Sequence, residues 1–204
     1  MDQRWNHNIH YHHVITDAVP ATARTALDIG CGDGLLLRQI ADRVPHVVGI
    51  DLDAPSIERA RAETAGLPTG AVELVTGDAL THPFASGSFD VVASVATLHH
   101  VDARAGLVRM RELVAPGGLL GVIGLAAVGS PADAVRSHAG ALANVPFQRA
   151  TGRAYWEHDA PTVWPPPETY GSMRRLVAEL LPGARFRTRL FWRYSLLWTK
   201  PLED

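Results

Sequence analysis

"ALDIGCGDG", residues 26–34, runs from a short apolar stretch through Gly30, Gly32 and Gly34 into the helical pattern "LLLRQIADRV" at 35–44. Glycines at such a junction let the backbone turn sharply and let a ligand approach a helix N-terminus closely. A phosphate-cradling P-loop needs Gly-Lys followed by Ser or Thr at the helix start, and Leu35 and Leu36 stand there instead. The dinucleotide fingerprint G-x-G-x-x-G requires glycine at 35, and the third glycine comes one residue early, which weakens a nicotinamide reading.

Around this turn, apolar runs alternate with amphipathic segments, the pattern of a parallel sheet covered by helices. "TALDIG" (25–30), "VVGIDL" (47–52), "VELVTGDA" (72–79), "FDVVASVATL" (89–98) and "LLGVIGL" (119–125) read as five strands. Leu36, Leu37, Ile40 and Val44 share one face of the first helix. Asp53 and Asp102 are placed as N-caps, the first with Pro55 just inside the helix, and "APGG" stops the helix that Asp102 opens. The rhythm breaks after Leu125. Residues 126–167, with scattered aromatics and "WPPPETY", read as an insertion over the sheet. "MRRLVAELL" (173–181) reads as a helix, and "RFRTRLF" (185–191) and "RYSLLWTK" (193–200) as a closing pair of strands. Phe186 and Leu190 alternate with Arg185, Arg187 and Arg189, which predicts one buried and one solvated face.

Asp28, Asp33, Asp51 and Asp78 fall at strand ends or in the turn, so a parallel sheet gathers them at its carboxyl edge, where such folds bind ligands. That much negative charge repels a pyrophosphate. It favours a ligand carrying an ammonium, a sulfonium, a ribose diol and an exocyclic amine, a description that S-adenosylmethionine fits.

The pieces "ALDIGCGDG", "VVGIDLDAPSIERAR", "GDAL", "FDVVASVATLHHV" and "RELVAPGGLLGVIG" together resemble a class I S-adenosylmethionine-dependent methyltransferase of the small-molecule type, over roughly residues 23–125 and again from 170 to 200. The resemblance implies a Rossmann-like α/β fold: a seven-stranded, mostly parallel sheet with its last strand antiparallel, and helices on both faces. Carried over by position, it implies that Asp28 and the turn of Gly30, Cys31, Gly32 and Gly34 hold the methionine end. Asp51 bonds the ribose hydroxyls, Leu52 flanks the adenine, Asp78 accepts from its amine with Ala79 beside it, and Val95 touches the methionine part.

The chain length suits one domain, residues 1–204, with 1–22 as an N-terminal lid. A formal net charge of -2, from 19 basic and 21 acidic residues, gives no footprint for nucleic acid and no polybasic membrane anchor. Cys31 is the only cysteine, and no apolar run reaches the roughly 20 residues a bilayer span needs, so a cytoplasmic protein is expected. A homodimer stays open.

Methyl transfer from a sulfonium is an in-line displacement, and His99 and His100, after the fourth strand, are the candidate catalytic bases. "SVATLHH" replaces the Asn/Asp-Pro-Pro-aromatic signature of many base-amine methyltransferases, and Cys31 is committed to the turn. A small-molecule acceptor is favoured, its methylated atom an oxygen or a nitrogen. Tyr11, His12, Tyr155, Trp156 and Trp164, with Trp5 and Phe147, are candidates to line it. "WNHNIHYHH" (5–13) puts His7, His10 and His13 over about 120° of a helix, loose for metal ligands, so the segment is read as a lid and no metal is expected. An RNA or protein methyltransferase, and a non-catalytic cofactor-binding scaffold, are the alternatives.

Overall fold

In the computed structural model, which describes residues 4–135, 137, 140, 142, 154–156 and 163–202, the apolar stretch ahead of the glycine turn is a strand in the middle of a sheet. The order along the chain is β1 (Arg4–Trp5), α1 (His12–Thr16), β2 (Thr25–Ile29), α2 (Leu35–Ala41), β3 (His46–Asp51), α3 (Ala54–Thr64), β4 (Val72–Thr76) and β5 (Phe89–Val95). It continues with α4 (Ala103–Leu113), β6 (Val114–Leu125), β7 (Ala154–Tyr155), α5 (Tyr170–Leu180), β8 (Arg185–Thr188) and β9 (Arg193–Thr199).

Among the described residues, seven strands make one sheet in the order β4-β3-β2-β5-β6-β9-β8. Neighbours from β4 to β6 are parallel, and β9 runs antiparallel to both β6 and β8. The chain winds outward from β2 through β3 to β4, then returns to lay β5 on the other side of β2. That reversal opens a crevice at the carboxyl ends of β2 and β5.

Period-2 alternation sends successive strand residues to opposite faces. Leu27 and Val92 join one core with Leu107, Met110 and Val177 of α4 and α5. Ala26, Val91 and Ala93 join the other with Ile15, Leu37 and Phe191. Leu27, Val92 and Leu107 are fully buried, and each such side chain contributes roughly 1.5–3 kcal/mol of transfer free energy. Among the described residues no helix is long and apolar enough to cross a membrane.

Several boundaries differ from the sequence reading. The fifth strand begins at Val114, directly after α4, because the "APGG" turn forms an irregularity within the strand between the Phe89–Val114 and Val91–Leu119 pairs. The fourth strand ends at Val95, and Leu98–His100 form a 3-10 turn. Helix α5 starts three residues early, at Tyr170, because Thr169 and Ser172 make a reciprocal capping box. The expected alternation of the arginine stripe holds from Arg185 to Thr188 and then fails. Beyond it, Phe191 and Trp192 both take positive φ, Phe191 is buried, and Leu190 is exposed. Half of the insertion at 126–167, Phe147 included, lies outside the described residues.

Candidate active site

The turn after β2 is shaped by three left-handed glycines, with φ of +69° at Gly30, +52° at Gly32 and +79° at Gly34. Their uses differ. A Cβ at Gly30 would run into the Thr97 side chain, and one at Gly34 would stand 2.9 Å from Cβ of Ala60, so these two also admit the loop after β5 and helix α3. Gly30 and Cys31 donate their N–H groups to the Ile50 carbonyl at 2.8 and 3.2 Å, tying the turn to β3.

The turn faces a cavity of about 600 Å³ that Asp28, Asp33, Asp51 and Asp78 all line. The four carboxylates are not equivalent. Asp33 is ion-paired, 2.7 Å from Nε of Arg59. Asp51 accepts from the N–H groups of Gly32 and Asp53, both at 2.9 Å, which fixes its carboxylate at the end of β3 and leaves lone pairs toward the cavity. Asp78 accepts from the Leu80 N–H at 2.9 Å. Arg109 clamps its loop by donating to the carbonyls of His82 and Ala79 at 2.7 and 3.3 Å.

Asp28 is buried, and its Oδ1 has no hydrogen-bond partner among the described residues. Burial, and then the Asp51 carboxylate, push its carboxyl up to about 7. A buried oxygen without a partner is costly unless something occupies the cavity beside it. Leu52, next to Asp51, is 70 % exposed on the cavity wall, an apolar platform left to water. The Cys31 thiol is pushed well up, by burial first and then by Asp28 and Asp51, so no thiolate nucleophile forms. Hydroxyl-accepting carboxylates, a partnerless buried acid and a bare leucine fit a ligand with a diol, a cationic end and a flat apolar ring.

Residues 27–122 match the family described as methyltransferase domain. An uncharacterised methyltransferase of Mycobacterium tuberculosis strain H37Rv is 39% identical over 203 residues, 99% of this chain and 100% of the relative. The chain belongs to the class I S-adenosylmethionine-dependent methyltransferases. The nocamycin O-methyltransferase of Saccharothrix syringae is 39% identical over 102 residues, covering 48% of this methyltransferase and 36% of that enzyme. An O-methyltransferase family protein of Burkholderia thailandensis shares the fold, with a TM-score of 0.66 at 23% identity over 97% of this methyltransferase and 57% of that chain.

The methyltransferase carries both candidate bases on the 3-10 turn after β5, on the cavity wall, with ring centroids 4.1 Å apart. Ala96, which leads into that turn, holds φ at +55°, a strained conformation of the kind that clusters at functional sites. Burial, then the His100 ring, then the Arg193 cation hold His99 down at about 4. Burial lowers His100 as well, against the pull of Asp51. Both rings are neutral at neutral pH, and His99 is too weak a base to keep a proton there.

Ala79, Val95, Gly30, Gly32 and Cys31 line the cavity, whereas Gly34 does not and acts in packing. Of the acceptor candidates, His12, Tyr155 and Trp156 line it. Pairing of β1 with β7 brings the last two there, and Trp156 donates its N–H to the Trp5 carbonyl at 2.8 Å. Tyr11 is buried in packing instead, its hydroxyl donating to the Leu190 carbonyl at 3.3 Å and the Arg189 guanidinium over its ring. Trp164 is 61 % exposed and away from the cavity wall. The histidine-rich segment is an aromatic cluster: His7 stacks on Phe191 at 4.8 Å, and His10 meets Tyr11 and Phe191 edge-on.

Several wall residues have no site role in the sequence reading, three of them polar groups beside the acceptor candidates. Asn6, Asn8 and Arg193 line the cavity beside Tyr155 and His99. The alternation of "RYSLLWTK" carries a signal for the last: Tyr194, Leu196 and Trp198 share one face, which sends Arg193 and Ser195 to the face under the N-terminal segment.

Proposed function

We propose that the cavity binds S-adenosylmethionine at its aspartate end and a small molecule at its aromatic end, and that a methyl group passes to an oxygen or nitrogen of that molecule. One observation carries this. Asp28, Asp51 and Asp78 line the same cavity as His99, Tyr155 and Trp156, which supports one shared space for donor and acceptor. When bound, S-adenosylmethionine supplies a methyl group activated for in-line displacement by its sulfonium.

The chain's residues divide that work. Asp51, oriented by two main-chain N–H groups, accepts the ribose hydroxyls, and Leu52 covers the adenine, whose amine donates to Asp78. Asp28 meets the ammonium of the methionine end across the Gly30–Gly32 backbone. Tyr155 and Trp156, held by the short β1–β7 ribbon, exclude water from the acceptor. His99 and His100, neutral and packed together, align the acceptor. Where the accepting atom carries a proton, neutral His99 or His100 is the group that takes it as the carbon–sulfur bond breaks and the thioether leaves. The O-methyltransferase names of partial relatives favour oxygen as the accepting atom.

Calorimetric titration with S-adenosylmethionine and S-adenosylhomocysteine tests the donor half. Asp51→Ala should weaken both by about 1.5–3 kcal/mol, the worth of charge-assisted hydrogen bonds between the ribose hydroxyls and a carboxylate already held in place. Equal affinity in the variant, or no binding by wild type at millimolar concentration, would place the cofactor elsewhere.

A further inference from the structure

The cavity wall carries a buried cation that has no part in the proposed cofactor contacts. Arg193 opens β9, lies on the cavity wall and is only 8 % exposed. Its Nε donates to Oδ1 of Asn8 at 2.8 Å and its Nη1 to the Phe191 carbonyl at 3.0 Å. Both partners are neutral. Among the described residues no carboxylate ion-pairs with Arg193, and its Nη2 has no protein acceptor.

Among the described residues, the charged and titratable groups facing it are the hydroxyls of Tyr170, Tyr155 and Tyr11 together with His99. Burial lowers the guanidinium to about 10, so it still carries its full charge at neutral pH. A buried cation without a counter-ion is a large expense for a fold, and arginines in such places ordinarily pair with carboxylate or phosphate. The aspartates sit at the other end: Asp51 acts on His100, whereas Arg193 acts on His99.

We propose that Arg193 is a specificity-determining residue that seats a carboxylate of the small-molecule acceptor, so that the substrates of this methyltransferase are organic acids. The proposal rests on the assignment of the aromatic end as the acceptor site. A planar carboxylate matches the open edge of the guanidinium and supplies the negative charge that the described residues do not place there. Asn8 and the Phe191 carbonyl hold that edge in place, and Tyr155 and Trp156 offer apolar cover for the rest of the acid. The cavity then holds a cation at its acidic end and an anion at its basic end, an arrangement that also draws donor and acceptor together.

The test uses matched probes: hexanoate against hexanamide and benzoate against benzamide, titrated calorimetrically into the full-length protein, both alone and saturated with S-adenosylhomocysteine. Each acid should bind at least about tenfold more tightly than its amide, as expected of a charge-assisted bidentate contact. Arg193→Gln should erase the preference, Arg193→Lys should restore part of it, and Asn8→Ala should weaken it by freeing the guanidinium. The acid-against-amide comparison needs only wild-type protein, so a variant that fails to fold leaves it standing. Equal binding of acids and amides by both forms overturns the proposal, as does an undiminished preference in folded Arg193→Gln. A preference for acids without any affinity for S-adenosylhomocysteine would keep the carboxylate site and sink the donor assignment.

Discussion

In the proposed cofactor site, a buried carboxyl group pushed up to about 7 makes ligand binding a proton-linked event. Asp28 is half protonated near neutrality, and an ammonium placed beside it favours the ionised form. Binding of S-adenosylmethionine should therefore release a proton, about half of one per site near pH 7, and affinity should rise as the pH goes from about 6 to 8. Calorimetry in buffers of different ionisation enthalpy measures the release; proton-neutral binding would put the ammonium elsewhere, and Asp28→Asn should abolish both effects. His12 titrates with the opposite consequence for stability. Its ring donates to Gln39 at 3.0 Å, and burial holds it at about 4 against 6.5 in the unfolded chain. As pH falls through 6.5 the unfolded chain takes up the proton first, so stability drops between about 6.5 and 4, by about 2 kcal/mol from this group between pH 7.5 and 5. His12→Asn keeps a donor to Gln39 and should lose less by that amount in urea titrations at the two pH values; an identical loss would show that His12 is not the source. Asp28 works in the other direction in the same window, but equally in both proteins. The position of Asp28 is legible in "ALDIGCGDG", because strand and turn are local patterns. Its protonation is not, since burial and Asp51 reach it through the tertiary fold.

The glycine turn shows how one element serves both packing and ligand. Gly34, though part of the sequence pattern that suggests a cofactor turn, lies off the cavity and against Ala60 of α3. Gly34→Ala adds a methyl 2.9 Å from Cβ of Ala60 at a φ of +79°, and should cost about 1–3 kcal/mol in urea unfolding. Cofactor affinity of the folded fraction should stay within about threefold, because no cavity-facing atom is removed. A large drop in affinity with unchanged stability would return Gly34 to the binding turn. The strands of the parallel sheet are legible because each is a short apolar run ended by a turn residue, and Asp53 and Asp102 stand where their side chains accept from the N–H groups of Ser56 and Ala105. The start of α5 is hard to read because the Thr169–Ser172 box pairs two hydroxyls, a weaker sequence signal than Ser/Thr with Glu. The histidine-rich segment is the least legible. Imidazoles at helical spacing give no local sign that they pack edge and face against Trp5 and Phe191, the latter a partner nearly the whole chain away.

At the scale of the whole molecule, the carboxyl edge of the sheet and the N-terminal segment both line the cavity, and in the proposed scheme the joint between them decides how the acceptor end closes. Among the described residues, β1 pairs with two residues of β7, and Asn6 donates from Nδ2 to the Trp156 carbonyl at 3.3 Å. The N-terminal segment is pinned to the helical layer by Glu63 of α3, which accepts from both terminal nitrogens of Arg4 at 2.9 and 3.0 Å and is ion-paired with Arg38, whose Nε lies 2.7 Å away. A bidentate, partly buried carboxylate between two guanidiniums is worth more than an exposed pair, about 1–2 kcal/mol. Glu63→Gln removes the charge while keeping the shape, so its cost should fall on that segment and leave the sheet intact. Amide exchange over residues 4–16 should quicken by about 5- to 30-fold, the equivalent of that energy, with protection in β2 and β5 unchanged. Affinity for S-adenosylhomocysteine should move by less than about threefold, since Asp51 and Asp78 are carried by the sheet. Uniform loss of protection across segment and sheet would mean that the two open as one cooperative unit and that the N-terminal segment cannot act as a separate cover for the acceptor.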